Sequence, residues 1–141
     1  MKPLATAEHA GGTIRVTRAG IDSVDAHESL HIAWQDCLGA VWDDPRLTVT
    51  VLRDGAARQH AWLMATPGQV PQVVRDRVAS VVVAELTRTF DVHGAVRFIA
   101  RRSGDAVAWL TLPDDAEWAA TPQGTASIAA ELADIRSAMG V

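Results

Sequence analysis

Two histidines and a glutamate in the run HESLH are the residues best suited to carry chemistry. If this run is helical, the four-residue spacing puts the imidazoles of His27 and His31 on one side, where they can bind Zn²⁺ together. Glu28 would then act as general base on a metal-bound water. The run therefore predicts a zinc site in which His27 and His31 are metal ligands and Glu28 is catalytic.

These five residues resemble the HExxH motif of zincin-type zinc metallopeptidases. The resemblance covers this pentapeptide only, and it implies a hydrolase with zinc as its cofactor. Longer motifs of this type place a glycine and a third ligand after the second histidine, where this chain has Trp34 and Cys37. Folding would have to supply the third ligand, and the candidates are Asp43, Asp44, His60 and His93.

The same segment also fits a purely structural role. On the predicted helix, His27 and His31 lie at the rim of the apolar side, next to Gln35, and rim positions suit exposed histidines. Cys37 lies within the apolar side, beside Asp36 and close to the negative end of the helix dipole. That position predicts an inert, buried thiol.

Composition places the chain among globular proteins and narrows its partners. The 141 residues are 48% hydrophobic and 21% charged, with a formal net charge of −4. This balance argues against a nucleic-acid or membrane-surface partner, because binding to phosphates needs clustered basic residues. A single cysteine and an N-terminus without an apolar leader predict a cytoplasmic protein. No apolar run approaches the roughly 20 residues of a membrane span.

Three other groups of residues are candidates for binding. Arg97, Arg101 and Arg102 would form the contact surface of a nucleic-acid binder, and such binding would depend steeply on salt. Acidic pairs near positions 43 and 114 fit hard cations in principle, but turns and helix caps are the favoured explanation. Of the five tryptophans, Trp118 is expected to be the most exposed, which would indicate a binding surface.

Hydrophobic periodicity and turn residues predict alternating strands and helices. A frayed segment over 1–12 precedes a single domain over 13–141. Within that domain the predicted order is a strand, a helix, two strands, a helix and two strands, followed by a last helix that ends before Gly140. The strands are expected at 13–18, 47–52, 57–65, 96–102 and 106–112, and the first two helices at 23–39 and 70–90.

This order predicts an α+β protein with a ferredoxin-like βαββαβ sheet, extended by one strand and one helix, with its helices on one face. The open face would be covered by a partner, so a homodimer is expected. Two functions fit this arrangement. The first is a small non-enzymatic binding or accessory module that takes a protein or small-molecule ligand without a cofactor. The alternative is the zinc-dependent hydrolase built on His27, Glu28 and His31.

Overall fold

The computed structural model of the protein describes residues 2–140, apart from the side chain of Ser103. The chain divides into two compact units, which are called unit 1 (Met1–Val82) and unit 2 (Val83–Val141). Each unit has its own apolar cluster of buried residues.

Unit 1 opens with a four-stranded antiparallel sheet in which each strand pairs with the next along the chain. Its strands are β1 (Ala5–His9), β2 (Gly12–Val16), β3 (Gly20–Asp25) and β4 (Ser29–Ala33). Side chains alternate between the two faces, as the period of a strand requires. Ala7, Ile14, Ile21 and Ile32 lie on the buried face, which packs into the core.

A second antiparallel sheet follows a short 3₁₀ turn at Trp34–Asp36. Its strands, in spatial order, are β5 (Cys37–Asp43), β6 (Arg46–Arg53) and β7 (Ala56–Leu63). Asp54 and Gly55 join β6 to β7 with φ angles of 51° and 77°, the doubly left-handed turn that suits the twist of a hairpin. Leu47, Val49 and Val51 belong to the same buried cluster as the first sheet.

Helix α1 (Val70–Val81) completes unit 1. Pro71 lies in its first turn, where the missing N–H costs no hydrogen bond. Val70, Val74 and Val78 recur every four residues and are buried in the core shared by the two sheets. The helix therefore contributes an apolar side to the core of the two sheets.

Unit 2 contains a three-stranded antiparallel sheet and two helices. Strand β8 (Val82–Thr89) leads into it, followed by β9 (Ala95–Ser103), β10 (Ala106–Pro113), α2 (Ala116–Ala120) and α3 (Pro122–Met139), and the strand order is β10-β9-β8. The side chain of Thr121 caps α3 by accepting the N–H of Gly124 at 3.0 Å, and Gly140 ends the helix with a φ of 74°. Val96, Phe98, Ile128 and Ile135 form its buried core.

The predicted ferredoxin-like sheet is wrong. The structure is still a mixed α+β protein, but it is mostly β, with separate antiparallel sheets of four, three and three strands. The helix expected over 23–39 does not form, and this segment supplies the end of β3, all of β4, the 3₁₀ turn and the start of β5. Leu30, Ile32 and Trp34 alternate along this segment, and pairing between strands prevails over the weaker helical periodicity.

The second predicted helix is correct only in its first half. It ends at Val81, and the residues expected to continue it form β8 instead. Val81, Val82 and Val83 are β-branched and favour extended backbone, so the change from helix to strand falls where the propensity changes. A four-residue valine repeat alone did not distinguish a helix from a helix followed by a strand.

Several predicted elements are confirmed. Both hairpins, β6–β7 and β9–β10, lie where their turn residues predicted them, and the last helix ends at Gly140.

Within the segment expected to be frayed, residues 5–9 form β1, paired with β2. Among the helices of residues 2–140, none is long and apolar enough to cross a membrane.

Candidate functional site

The structure places the three residues of the predicted zinc site on a turn and a strand. His27 and Glu28 lie in the exposed turn between β3 and β4, and His31 lies on β4. A four-residue spacing brings two imidazoles together on a helix, but this segment has no helical turn to do so. The geometry required by the HExxH motif is therefore absent from this segment.

The carboxylate of Asp25 holds this turn. Its Oδ1 accepts the backbone N–H of His27 at 2.7 Å and that of Glu28 at 2.9 Å. These two hydrogen bonds, together with smaller effects of nearby His27 and His9, lower the pKa of Asp25 below its usual range. A carboxylate in the first turn of a helix is also favourable, which is why Asp25 was compatible with the helix predicted over 23–39.

The side chain of His31 contacts an aspartate on the exposed face of its sheet. Its Nδ1 lies 2.6 Å from Oδ1 of Asp22 on the neighbouring strand. Over residues 2–140, no group of three or more histidine, cysteine, aspartate or glutamate side chains has an arrangement able to hold a metal ion. The prediction of metal binding is therefore wrong for the described part of the chain.

The other candidates have local structural roles. Cys37 is fully buried in the core of unit 1, although on a strand rather than a helix, and burial raises the pKa of its thiol to about 12. Asp114 accepts the N–H of Ala95 at 3.0 Å, and Asp115 caps α2 by accepting the N–H of Trp118. These two carboxylates therefore stabilise a loop and a helix start.

In unit 2, Trp118 is half-buried rather than exposed. Its ring stacks on the ring of His93, with 4.4 Å between centroids, and also contacts Phe90. The Arg97 guanidinium donates two hydrogen bonds to Oε1 of Glu85, at 3.0 and 2.7 Å. Of the three arginines that a nucleic-acid binder would use, Arg97 is therefore paired with an acid.

A cleft of about 710 Å³ lies in unit 1 and has polar groups in its lining. That volume is within the range of sites for small ligands. The cleft lies where the end of β1 meets the end of β7, and there the Ala10 N–H donates to the carbonyl of Leu63 at 3.0 Å. Its lining residues are Glu8, His9, Ala10, Pro45, Leu63, Met64, Ala65 and Thr66.

A chain of hydrogen bonds holds the imidazole of His9 at this cleft. The Trp62 indole donates to Oγ of Ser23 at 3.0 Å, and that oxygen lies 3.4 Å from Nε2 of His9. Nδ1 of His9 is 3.1 Å from the carbonyl of Ala10, which can only accept. A neutral imidazole protonated on Nδ1 satisfies every partner, with the Ser23 hydroxyl donating to Nε2. Both ring nitrogens of His9 are then occupied.

His60 lies two residues before Trp62 on β7, so the two side chains are on the same side of the strand. Its ring stacks with that of Trp62, with 6.3 Å between centroids and 24° between planes. Burial is the main reason that its pKa is lowered, and the positive charge of Arg53 adds to the effect. Trp62 thus stacks with the ring of His60 and is linked through the Ser23 hydroxyl to the imidazole of His9.

Glu8 supplies the only formal charge of the cleft lining. It is exposed, and its carboxylate forms no hydrogen bond or ion pair within the part of the chain that the structure describes. Leu63, which is 48% exposed, and the buried Met64 form an apolar wall beside Glu8. The cleft therefore combines one available acceptor with an apolar surface.

Sequence reasoning missed Glu8 and His9 because it assigned both to a frayed segment. The signal that could have found them is weak. Ala5, Ala7 and His9 alternate with Thr6 and Glu8, which is the period of a strand, but small residues give little contrast in hydrophobicity. Pairing with β2 supplies the order that the segment's own composition does not.

Comparison with models of known protein families, with curated proteins and with solved structures found no match to this chain.

Proposed function

We propose that the protein is a small binding module, and that the cleft at Glu8 and His9 takes a small organic cation with an apolar body. The observation that carries this proposal is the Glu8 carboxylate, which has no partner among the described residues and lies beside the apolar wall of Leu63 and Met64. An ammonium group is the natural partner of such a carboxylate.

The apolar wall favours a ligand with a hydrophobic body. Exposed Leu63 and the neighbouring Pro45 would lose contact with water when the ligand binds, and burial of apolar surface contributes about 25 cal/mol per Å². A hydrogen bond to the charged carboxylate would fix the orientation of the head group. An apolar wall combined with one charged group is typical of sites that bind small molecules.

The state of His9 favours binding over catalysis. Both of its ring nitrogens have partners, so the imidazole offers its ring rather than a free base to a ligand. Ser23, whose hydroxyl could otherwise act as a nucleophile, is only 6% exposed, and this hydroxyl already accepts the indole N–H of Trp62. A cation packed against an imidazole and a carboxylate requires no chemical step.

The test uses three probes with a similar aromatic body, namely 2-phenylethylamine, 2-phenylethanol and 3-phenylpropanoate. Binding is followed by backbone amide chemical shifts and by titration calorimetry. The proposal predicts that the amine binds most tightly, and that shift changes centre on residues 8–10 and 63–66. Glu8→Gln should weaken amine binding about tenfold, because a charge-assisted hydrogen bond is lost.

Glu28→Gln provides the matched control, since it removes the same charge from an exposed position outside the cleft. It should leave amine binding unchanged. Equal binding of the amine and the alcohol, or equal losses in both variants, would show that Glu8 does not recognise a cation. Shift changes elsewhere in the protein would place the ligand outside this cleft.

The expectation of a homodimer remains a proposal, and one face supports it. On the exposed face of the second sheet, Val41 lies beside Thr48, which in turn lies beside Ala61, and Val41 is 62% exposed. A glutamate at an apolar dimer interface would be desolvated, so Val41→Glu should shift the mass measured by light scattering from dimer to monomer. Val24→Glu is the control, because Val24 is 50% exposed on the other sheet. A monomeric wild type would reject the dimer.

A further inference from the structure

We propose a second ligand site in unit 1, which binds a small organic anion with an apolar group. It lies around Leu4 and is independent of the Glu8 cleft. A pocket of about 500 Å³ is lined by Lys2, Pro3, Leu4 and Arg18. A neighbouring pocket of about 510 Å³ shares Leu4 and adds Arg77 to its lining. Three cationic residues thus surround one apolar side chain.

The strand pairing keeps this segment in place. The Leu4 N–H donates to the carbonyl of Val16 at 2.7 Å, so the ordered backbone continues one residue before β1 begins. Arg18 follows the end of β2, in a turn where the N–H of Ala19 donates to the Thr17 hydroxyl at 3.1 Å. Lys2 and Arg18 therefore line the same pocket from two anchored segments.

The cations around Leu4 are available for a ligand. Lys2 and Arg18 form no ion pair within residues 2–140, and no acidic residue lines the pocket that they share. The neighbouring pocket has one acid, Asp76, whose Oδ1 already accepts the side-chain N–H of Gln72 at 2.9 Å. In a chain of net charge −4, this is a local excess of positive charge.

The geometry also specifies the kind of anion. Leu4 is 39% exposed at the centre of the group, so a ligand that covers it buries apolar surface and gains affinity from doing so. The ammonium of Lys2 and the guanidinium of Arg18 each donate charge-assisted hydrogen bonds to a phosphate or carboxylate oxygen. A phosphate monoester or carboxylate on a compact apolar body meets both requirements.

The probes are 1-naphthyl phosphate, inorganic phosphate and 1-naphthol, titrated into the full-length protein with chemical-shift and calorimetric detection. The first should bind more tightly than the other two, and its shift changes should centre on residues 2–5 and 16–19. Lys2→Gln and Arg18→Gln should each weaken binding of 1-naphthyl phosphate about tenfold. Added salt should weaken it further, because salt screens exposed charges.

Arg15→Gln is the matched control for these variants. Arg15 is an exposed arginine on the same hairpin, three residues from Arg18, and it lines neither pocket. The proposal predicts unchanged binding in this variant, with thermal melting used to confirm that all three variants fold. If a variant is unfolded, Leu4→Ser provides a second test, since it keeps every charge and should still weaken binding.

Five outcomes would overturn the proposal. Absence of binding rejects the site, and an equal loss in Arg15→Gln reduces the effect to overall charge. If 1-naphthol binds as tightly as 1-naphthyl phosphate, the cations do not contribute to binding. If inorganic phosphate binds as tightly as 1-naphthyl phosphate, Leu4 does not contribute. Vesicles containing phosphatidylserine distinguish a lipid head group from a free ligand, and binding to vesicles without binding to the soluble probe would reject a small-molecule site.

Discussion

The two ends of the β1–β2 hairpin differ in charge, although the strands between them share one apolar face. The turn end meets a cleft in which Glu8 is the one formally charged residue among the described residues that line it, while the opposite end meets a pocket lined by Lys2 and Arg18. Ala7, Ile14 and Val16 are buried between the two ends. Apolar side chains that alternate along the two strands thus form the core, whereas the residues near the strand ends determine the charge of the cleft and of the pocket.

Charge reversal at either end should have the largest effect and separates the two sites. Glu8→Lys places a cation where the cleft needs an anion, so binding of 2-phenylethylamine should fall by more than about tenfold. Binding of 1-naphthyl phosphate should stay the same. Arg18→Glu should give the reverse pattern. The comparison breaks down if either variant weakens both ligands equally in calorimetric titrations.

Removal of the Ser23 hydroxyl should have a smaller effect, confined to the turn end. Ser23→Ala leaves the buried Trp62 indole N–H without its acceptor and removes the Nε2 partner of His9. An unsatisfied buried donor costs about 1–3 kcal/mol, so the free energy of unfolding in urea should fall by that amount. Ser29→Ala, at an exposed position of β4, should change it by less than about 0.5 kcal/mol. Equal changes in both variants would contradict a structural role for this hydrogen-bond chain.

Acid should destabilise the turn end by the smallest amount. The folded-state pKa values of His60 and Asp25 are both lowered, so the unfolded chain binds more protons than the folded one as pH falls. Stability is therefore complete above the ordinary pKa of each group. The His60 contribution is lost as pH falls below the ordinary histidine range, and that of Asp25 is lost in stronger acid.

The measurement for this prediction is urea unfolding across the pH range, followed by tryptophan fluorescence. His60→Gln should flatten the decline just below neutral pH. Asp25→Asn should flatten the decline in stronger acid, because its side chain no longer titrates. A stability profile that is unchanged in both variants would contradict the assignment of these two pKa values.

The sequence predicted those elements whose turns have their own chemistry. Asp54-Gly55 and the turn at Gly104 each predicted a hairpin, while Thr121 or Thr125 and then Gly140 predicted the two ends of the last helix. These signals depend on residues next to each other in the chain. They could be interpreted from the sequence because they do not depend on contacts with distant segments of the chain.

The rest of the fold depended on contacts between distant segments. Asp25 suits the first turn of the helix predicted over 23–39, and only the pairing of β3 with β4 shows that its carboxylate holds a turn between strands instead. Neither candidate site could be predicted, since each joins the first 18 residues to segments brought to them by folding. Glu8 meets Leu63, and Leu4 meets Arg77, only in the folded chain.

One measurement tests the central claim, that a single hairpin separates a cation site from an anion site, most directly. Amide chemical shifts of one isotope-labelled sample are recorded with 2-phenylethylamine, and those of a second sample with 1-naphthyl phosphate. The account predicts two separate groups of shifted residues, at 8–10 with 63–66 for the amine and at 2–5 with 16–19 for the phosphate. A single shared group, or no shift with either probe, would contradict it.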